Sequence, residues 1–313
     1  MLKKGSLLVF ASQFVAVAVH SLAKLLEANA IDPQQILQVR MFITLGINSL
    51  LLKSRFPEEL PLGKRGNVGR LLVLRTMGGI CGAVGFYYSL EYLPLADATT
   101  LNLLAPLGAS FVTAKSISLV QVGCVAICFV GVGLIAKPSF VLAMIHDYGV
   151  SDQETSQPQL GFAFAMIGAL GGVCAYSAVA KIGSRSHPLV ITNCFAAGIL
   201  LVSSICFAVV PGVTFNFNLG LLPWCILGLI GLSGALMEYL LTAGLSAEED
   251  GFAVYMIYFQ VVLALVVDVL AWHTIPDVAS CSGALLVVLA LYVSQSAPQR
   301  ERALPDVEMA SRS

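Results

Sequence analysis

Ten apolar runs, each about as long as a bilayer is thick, divide this chain: 6–26, 34–52, 69–92, 96–114, 118–136, 160–181, 188–210, 221–245, 251–272 and 279–295. A helix needs ~20 such residues to cross the hydrocarbon core. Inside lipid every backbone N–H and C=O must be satisfied within the segment, so runs of this kind fold as helices. The connections are short except at 53–68 and 137–159, and a polar tail starts at 296. The fold class implied is all-α and polytopic, with ten transmembrane helices and no soluble domain. Charged residues make up 11% of the chain, against about 25% in soluble domains. The 17 Lys+Arg are matched by 18 Asp+Glu, so the basic face of a nucleic-acid binder is not expected. The first run follows Lys3-Lys4 and is too long for a signal-peptide core. It reads as a retained helix.

Orientation follows from the loops, because cytosolic loops are rich in Lys and Arg. Thirteen of the 17 fall on one side, Lys3, Lys4, Lys53, Arg55, Lys64, Arg65, Arg70, Lys115, Lys181, Arg185, Arg300, Arg302 and Arg312; only Lys24 and Lys137 fall on the other. Both termini are therefore expected in the cytosol. The 137–159 loop, with Asp147, Asp152 and Glu154, is expected to face outward or into a lumen. The residues do not distinguish plasma membrane from Golgi or ER membrane. The 8 cysteines all lie in or beside apolar runs without zinc-finger spacing. They read as small buried thiols packing helices. No cofactor and no metal site is expected.

The chain also repeats itself. "HSLAKLLEANAIDPQQI" in the first run matches "YSAVAKIGSRSHPLVI" in the sixth, so that Ser21, Lys24 and Pro33 answer Ser177, Lys181 and Pro188. "GGICGAV" in the third answers "GLIGLSGAL" in the eighth. Two five-helix halves follow, 1–137 and 158–296, joined by an extracytosolic loop at 138–157 and trailed by a disordered cytosolic tail at 297–313. Five is odd, so the halves enter the membrane from opposite sides. Such inverted repeats place a midplane site in many transporters and alternate access around it.

These motifs carry a resemblance. "QVRMF", "GGICGAVGFYYSLEYLPLADATTLNLLAP", "VGCVAICFVGVGLIAKP" and "LSAEEDGFAVYMIYFQVVLALVVD" resemble the drug/metabolite transporter superfamily, in its EamA-type ten-helix branch. That branch is similar to solute carrier family 35-like proteins related to the nucleotide-sugar transporters. The resemblance implies two five-helix repeats around a central cavity and secondary-active transport of a small polar metabolite without ATP. It also implies pairing into a homodimer, with the lipid bilayer and a small-molecule substrate as the other partners. The chain departs from the pattern at "APLGASFVTAKSISLVQ", which shortens helix 4, and at "AWHTIPD", which closes helix 9.

Charges inside the runs are the candidate site. A guanidinium facing lipid costs at least ~2.5–3.5 kcal/mol, so Arg40 and Arg75 must face protein or a wet cavity. Glu238 and Asp268 are the intramembrane carboxylates. Counting the ~1.5 Å rise per residue puts Arg75 level with Glu238 on the cytosolic side, and Arg40 level with Asp268 on the outer side. Two separate pairs are expected. Guanidinium forks suit carboxylate or phosphate, which favours an anionic substrate; a carboxylate with a raised pKa would instead serve proton coupling. A purely structural role is the alternative for either arginine, and Arg40 lies close enough to an interface to snorkel.

Asn102, Gln260, Tyr176 and Tyr258 are the further candidate substrate-binding groups. Asn102 and Gln260 occupy corresponding parts of helices 4 and 9 and point one amide from each half toward the axis. Gln13, Gln38, Asn48, Asn193, Tyr239 and Tyr255 read first as hydrogen bonds between helices. His20 reads as an interfacial polar group rather than a proton relay. Gly78, Gly82, Gly85, Gly168, Gly172, Gly228, Gly231 and Gly234 recur at helical spacing, as close-packed helices require. Pro106 removes a backbone bond in helix 4 and reads as a kink. No HExxH, GxSxG or paired aspartates at one depth mark an enzyme. A non-transporting scaffold or regulatory protein of the same fold is the competing function.

Overall fold

The computed structural model describes residues 4–59 apart from 28 and 30, then 68–92, 101–113, 119–136, 158–210, 212, 214–247, 252–272 and 278–296. Among these residues there are ten α-helices and no strand: α1 Lys4–Glu27, α2 Pro33–Arg55, α3 Val68–Tyr92, α4 Leu104–Thr113, α5 Leu119–Ala136, α6 Pro158–Ile182, α7 Pro188–Val209, α8 Leu221–Ala247, α9 Phe259–Trp272 and α10 Val278–Ser296. Six of them, α1, α2, α3, α6, α7 and α8, are long and apolar enough to cross a membrane. Shorter apolar stretches lie in α4, α5 and α10. The 137–157 connection and the tail from 297 lie outside the described residues.

The surface pattern is that of a protein dissolved in lipid. Phe42 and Leu201 are 68% and 64% exposed, whereas Gln13, Asn48, Arg75 and Glu238 are 2, 2, 6 and 7% exposed. Apolar side chains face outward, where hydrocarbon takes the place of water, and polar ones turn inward to partners.

Helix starts are written locally. Asp32 caps α2 by accepting from Gln34 N at 2.8 Å, and Pro33 follows as the first helical residue. His187 Nδ1 caps α7 by accepting from Leu189 N at 3.2 Å, followed by Pro188. Proline at a first helical position loses nothing, because its missing N–H would have no intrahelical partner.

Two helix pairs set the frame. The tightest is α3 against α6, running antiparallel. A Cβ added to Gly78 would lie 2.7 Å from Gly171 O, and one on Gly85 would lie 2.5 Å from Gly168 N. The second is α1 against α8, where a Cβ on Gly244 would lie 2.7 Å from Gly5 O. Gly231 and Gly234 admit Ile43 and Arg40 of α2 to the face of α8. Gly228 has nothing within 4 Å, so this member of the glycine spacing serves no close approach.

The α2–α7 contact is held by amides and hydroxyls. Asn48 Nδ2 donates to Thr192 Oγ1 at 2.9 Å, Ser49 Oγ to Asn193 Oδ1 at 3.3 Å, and Gln38 bridges Ser203 and Ser204. Three of the amides read as helix glue therefore act as glue. Gln13 bonds within its own helix, to Val9 O and Ser12 Oγ. Near the start of α2, Gln35 clamps residue 216 twice, accepting from Asn216 N at 2.9 Å and donating to Asn216 O at 2.8 Å.

The expected run 96–114 is not one continuous helix. Residues 101 and 102 are helical, a turn falls at Leu103, and α4 starts at Leu104. Pro106 therefore stands in the first turn of a new helix, where no intrahelical donor is missing, and is not the centre of a kink. In the second half the run 251–272 opens as a 3-10 stretch, Phe252–Tyr258, before α9 begins.

Candidate functional site

Glu238 lies between both arginines. Arg40 Nη2 is 2.9 Å from Glu238 Oε1, and Arg75 Nη2 is 3.6 Å from Oε2. Three helices supply these groups: α2, α3 and α8. The Arg75–Glu238 pair agrees with the depth count. Among the described residues Arg40 takes the same carboxylate, a contact the depth count did not give. The reason is its side chain. Arg40 runs across Gly234, where an added Cβ would lie 2.6 Å from Arg40 Nε, and reaches Glu238 a turn further along α8. Depth counted at Cα ignores a stem longer than the 5.4 Å helical pitch. Asp268 lies in α9, and its side chain is outside the described residues.

Neither guanidinium snorkels outward. Arg75 folds along α3 toward Gly79, and its guanidinium carbon stands 4.2 Å from the centre of the Phe195 ring of α7. A cation over an aromatic face gains about 0.5–2 kcal/mol, more when dry. The Nε atoms of both arginines are buried without a hydrogen-bond partner among the described residues. A guanidinium stays charged in a protein. Among the described residues, two cations and one anion thus share a site of low dielectric, with two buried donors to spare.

The second polar group joins the two helix breaks. Tyr258, fully buried at the end of the 3-10 stretch, donates its hydroxyl to Leu103 O at 2.9 Å. Asn102 immediately precedes the first break, and Gln260 is the second residue of α9, after the second break. Gln260 Nε2 lies 3.0 Å from His20 Nδ1 of α1. Tyr176 of α6 packs on the same apolar core as Tyr258 and Leu103. Replacing Tyr258 by phenylalanine removes one buried hydrogen bond and leaves Leu103 O short of a partner. A loss of about 1–3 kcal/mol is expected, read as a lower unfolding midpoint in detergent; an unchanged midpoint would show that the breaks are held by packing alone.

Beside the charges, a cavity of about 350 Å³ lies along the α2–α8 contact, lined in part by Ile47, Asn48, Ala235 and Tyr239. Leu51, Leu232 and Leu236 on its rim are exposed, so it opens on the lipid-facing side. Phe56 and His187 close one end, with ring centres 4.2 Å apart. Tyr239 was legible as a polar intramembrane group; His187 was not, because it sits in a turn between two helices.

Residues 3–137 match the EamA-like transporter family. The chain is 33% identical to "Probable transporter vicT" of Bipolaris victoriae, over 93% of this chain and 85% of that protein. It is 26% identical to "Probable transport protein YPL264C" of Saccharomyces cerevisiae, over 99% and 93%. It is 25% identical to "Pseudopaline exporter CntI" of Pseudomonas aeruginosa, over 93% and 95%. A solved structure described as "Crystal structure of protein" superposes with a TM-score of 0.73 at 17% identity, covering 94% of this chain and 98% of that one, which shows a shared fold. Relatives named as transporters along nearly their whole length, with an apolar multi-helix fold, make this an integral multi-pass membrane protein that belongs to the EamA-like transporters of the drug/metabolite transporter superfamily.

Proposed function

We propose that this membrane transporter carries a small anionic metabolite by alternating access, with Arg75 and Arg40 as its anion-binding groups and Glu238 as their resident counter-ion. One observation carries the reading: among the described residues, a single carboxylate serves two buried guanidiniums that each keep an unpartnered Nε–H. The described cluster holds one positive charge in excess, and an incoming carboxylate or phosphate would balance it while filling the free donors. Asn102, Gln260, Tyr176 and Tyr258 are the groups that would hydrogen-bond the rest of the substrate, and Asp268 is the carboxylate available for proton coupling.

The packing supports two inverted five-helix repeats, 1–137 and 158–296, with ten spans. Helix α3 packs on α6 as α8 packs on α1, α2 packs on α8 as α7 packs on α3, and α5 meets α10. Each relation maps onto its counterpart, or onto itself, when the two halves are exchanged. Broken helices from both halves meeting at one hydrogen bond also fit a midplane site. In this reading both termini are cytosolic, in the plasma membrane or a Golgi or ER membrane, and the protein pairs as a homodimer.

The test is a thermal-shift screen of the purified protein with pools of nucleotide sugars, phosphorylated metabolites, amino acids and cations, followed by flux into proteoliposomes. An anion is expected to stabilise the wild type. Arg75→Met, which leaves Arg40 and Glu238 paired, is expected to weaken that ligand about 10- to 100-fold, the worth of a charged hydrogen bond. Stabilisation and saturable flux of a cation, unchanged in the variant, would overturn the reading.

A further inference from the structure

A second charged feature, which does not include Glu238, lies at the end of the α3–α6 pair. Arg70, Lys181 and Arg185 line a cleft of about 370 Å³ with Leu71, and no carboxylate lines it among the described residues. The cations come from both helices, and the close glycine contacts between α3 and α6 fix their spacing. Arg185 is anchored, since its Nε donates to Ile182 O at 3.1 Å and its Nη2 to Lys181 O. All three cationic side chains remain exposed. Following each helix away from the cleft leads onto exposed apolar side chains: Leu74 and Met77 on α3, Leu170 on α6.

We infer that this cleft binds the phosphate headgroup of an anionic phospholipid, with the acyl chains lying along the apolar stripe above it. Three cations, with no carboxylate lining their cleft among the described residues, supply the charge complementarity. Their place where the apolar band ends is where a bilayer carries its phosphates. A basic segment gains attraction for anionic lipid with each Lys or Arg near the surface. Free phosphate has the same headgroup chemistry but no use for the apolar stripe. The site is separate from the proposed transport site and does not depend on it.

The experiment uses the full chain in phosphatidylcholine nanodiscs, with and without phosphatidylglycerol, and counts lipids retained on release by native mass spectrometry. Phosphatidylglycerol is expected to be enriched over phosphatidylcholine. R70Q and K181Q are each expected to lower that enrichment about fivefold, the triple variant R70Q/K181Q/R185Q to abolish it, and the charge-keeping R70K/R185K to retain it. Met77→Asp, which spoils the stripe and keeps the cleft, is expected to lower it as well. Undiminished enrichment in the triple variant overturns the proposal. So does displacement of the lipid by inorganic phosphate at matched charge, or a dimer that forms without phosphatidylglycerol and hides these side chains. The assay reads bound lipid rather than flux, so its failure and that of the transport reading are distinguishable.

Discussion

Glu238→Ala is expected to be the most destabilising single substitution among the charged residues, and removal of either arginine far milder. Taking one partner from a buried ion pair costs about 3–5 kcal/mol, because the other charge is left without compensation. Here one carboxylate serves Arg40 at 2.9 Å and Arg75 at 3.6 Å. Its loss leaves two guanidiniums facing each other, and the cost should reach the top of that range. Arg75→Met leaves the neutral Arg40–Glu238 pair intact and forfeits mainly the contact with Phe195, about 0.5–2 kcal/mol. Adding Arg40→Met and Arg75→Met to Glu238→Ala should recover part of the loss, since the triple variant buries no charge. Unfolding midpoints of the five proteins decide the matter. If Arg75→Met proves as damaging as Glu238→Ala, the carboxylate is not shared in the way the distances imply.

The bundle was legible in the sequence because lipid forces a simple code: about twenty apolar residues per crossing, with every backbone bond made inside the helix. The same code is blind to breaks. In the apolar run 96–114 only Pro106, which reads as a kink, hints at the turn at Leu103; the Tyr258 hydroxyl that meets it lies 155 residues away in sequence. Charge depth was legible for the Arg75–Glu238 contact and did not show that Arg40 joins it. Arg75 and Glu238 meet because they stand at one level; Arg40 arrives from another level on a long stem that Gly234 lets pass. Amide types told that polar groups would bond inside the membrane, but partners such as Thr192 for Asn48 are set by helix rotation, which spacing does not fix. The Gln35 clamp on residue 216 went unread for a similar reason: its partner is backbone, which carries no sequence signal.

The glycine spacing gives the second large effect, and Gly85→Val is expected to separate α3 from α6. A Cβ there would lie 2.5 Å from Gly168 N, 2.7 Å from Gly168 Cα and 2.7 Å from Phe164 O. All three are backbone atoms, which no rotamer change can move. Gly171, which the spacing argument passed over, is as tight: a Cβ would lie 2.6 Å from Gly82 N and 2.7 Å from Gly78 O. Overpacking costs about 1–3 kcal/mol where side chains can adjust, and here the helices themselves must part. In lipid that loss has no hydrophobic compensation, because close backbone approach is what drives helix association. Gly228→Ala is the control. It meets nothing within 4 Å, and replacing a mid-helix glycine by alanine should be neutral or stabilise by up to about 1 kcal/mol. The comparison to make is the fraction of monodisperse protein and its unfolding midpoint for Gly85→Val, Gly171→Val and Gly228→Ala. Wild-type behaviour of Gly85→Val would mean that α3 and α6 stand further apart than these distances require.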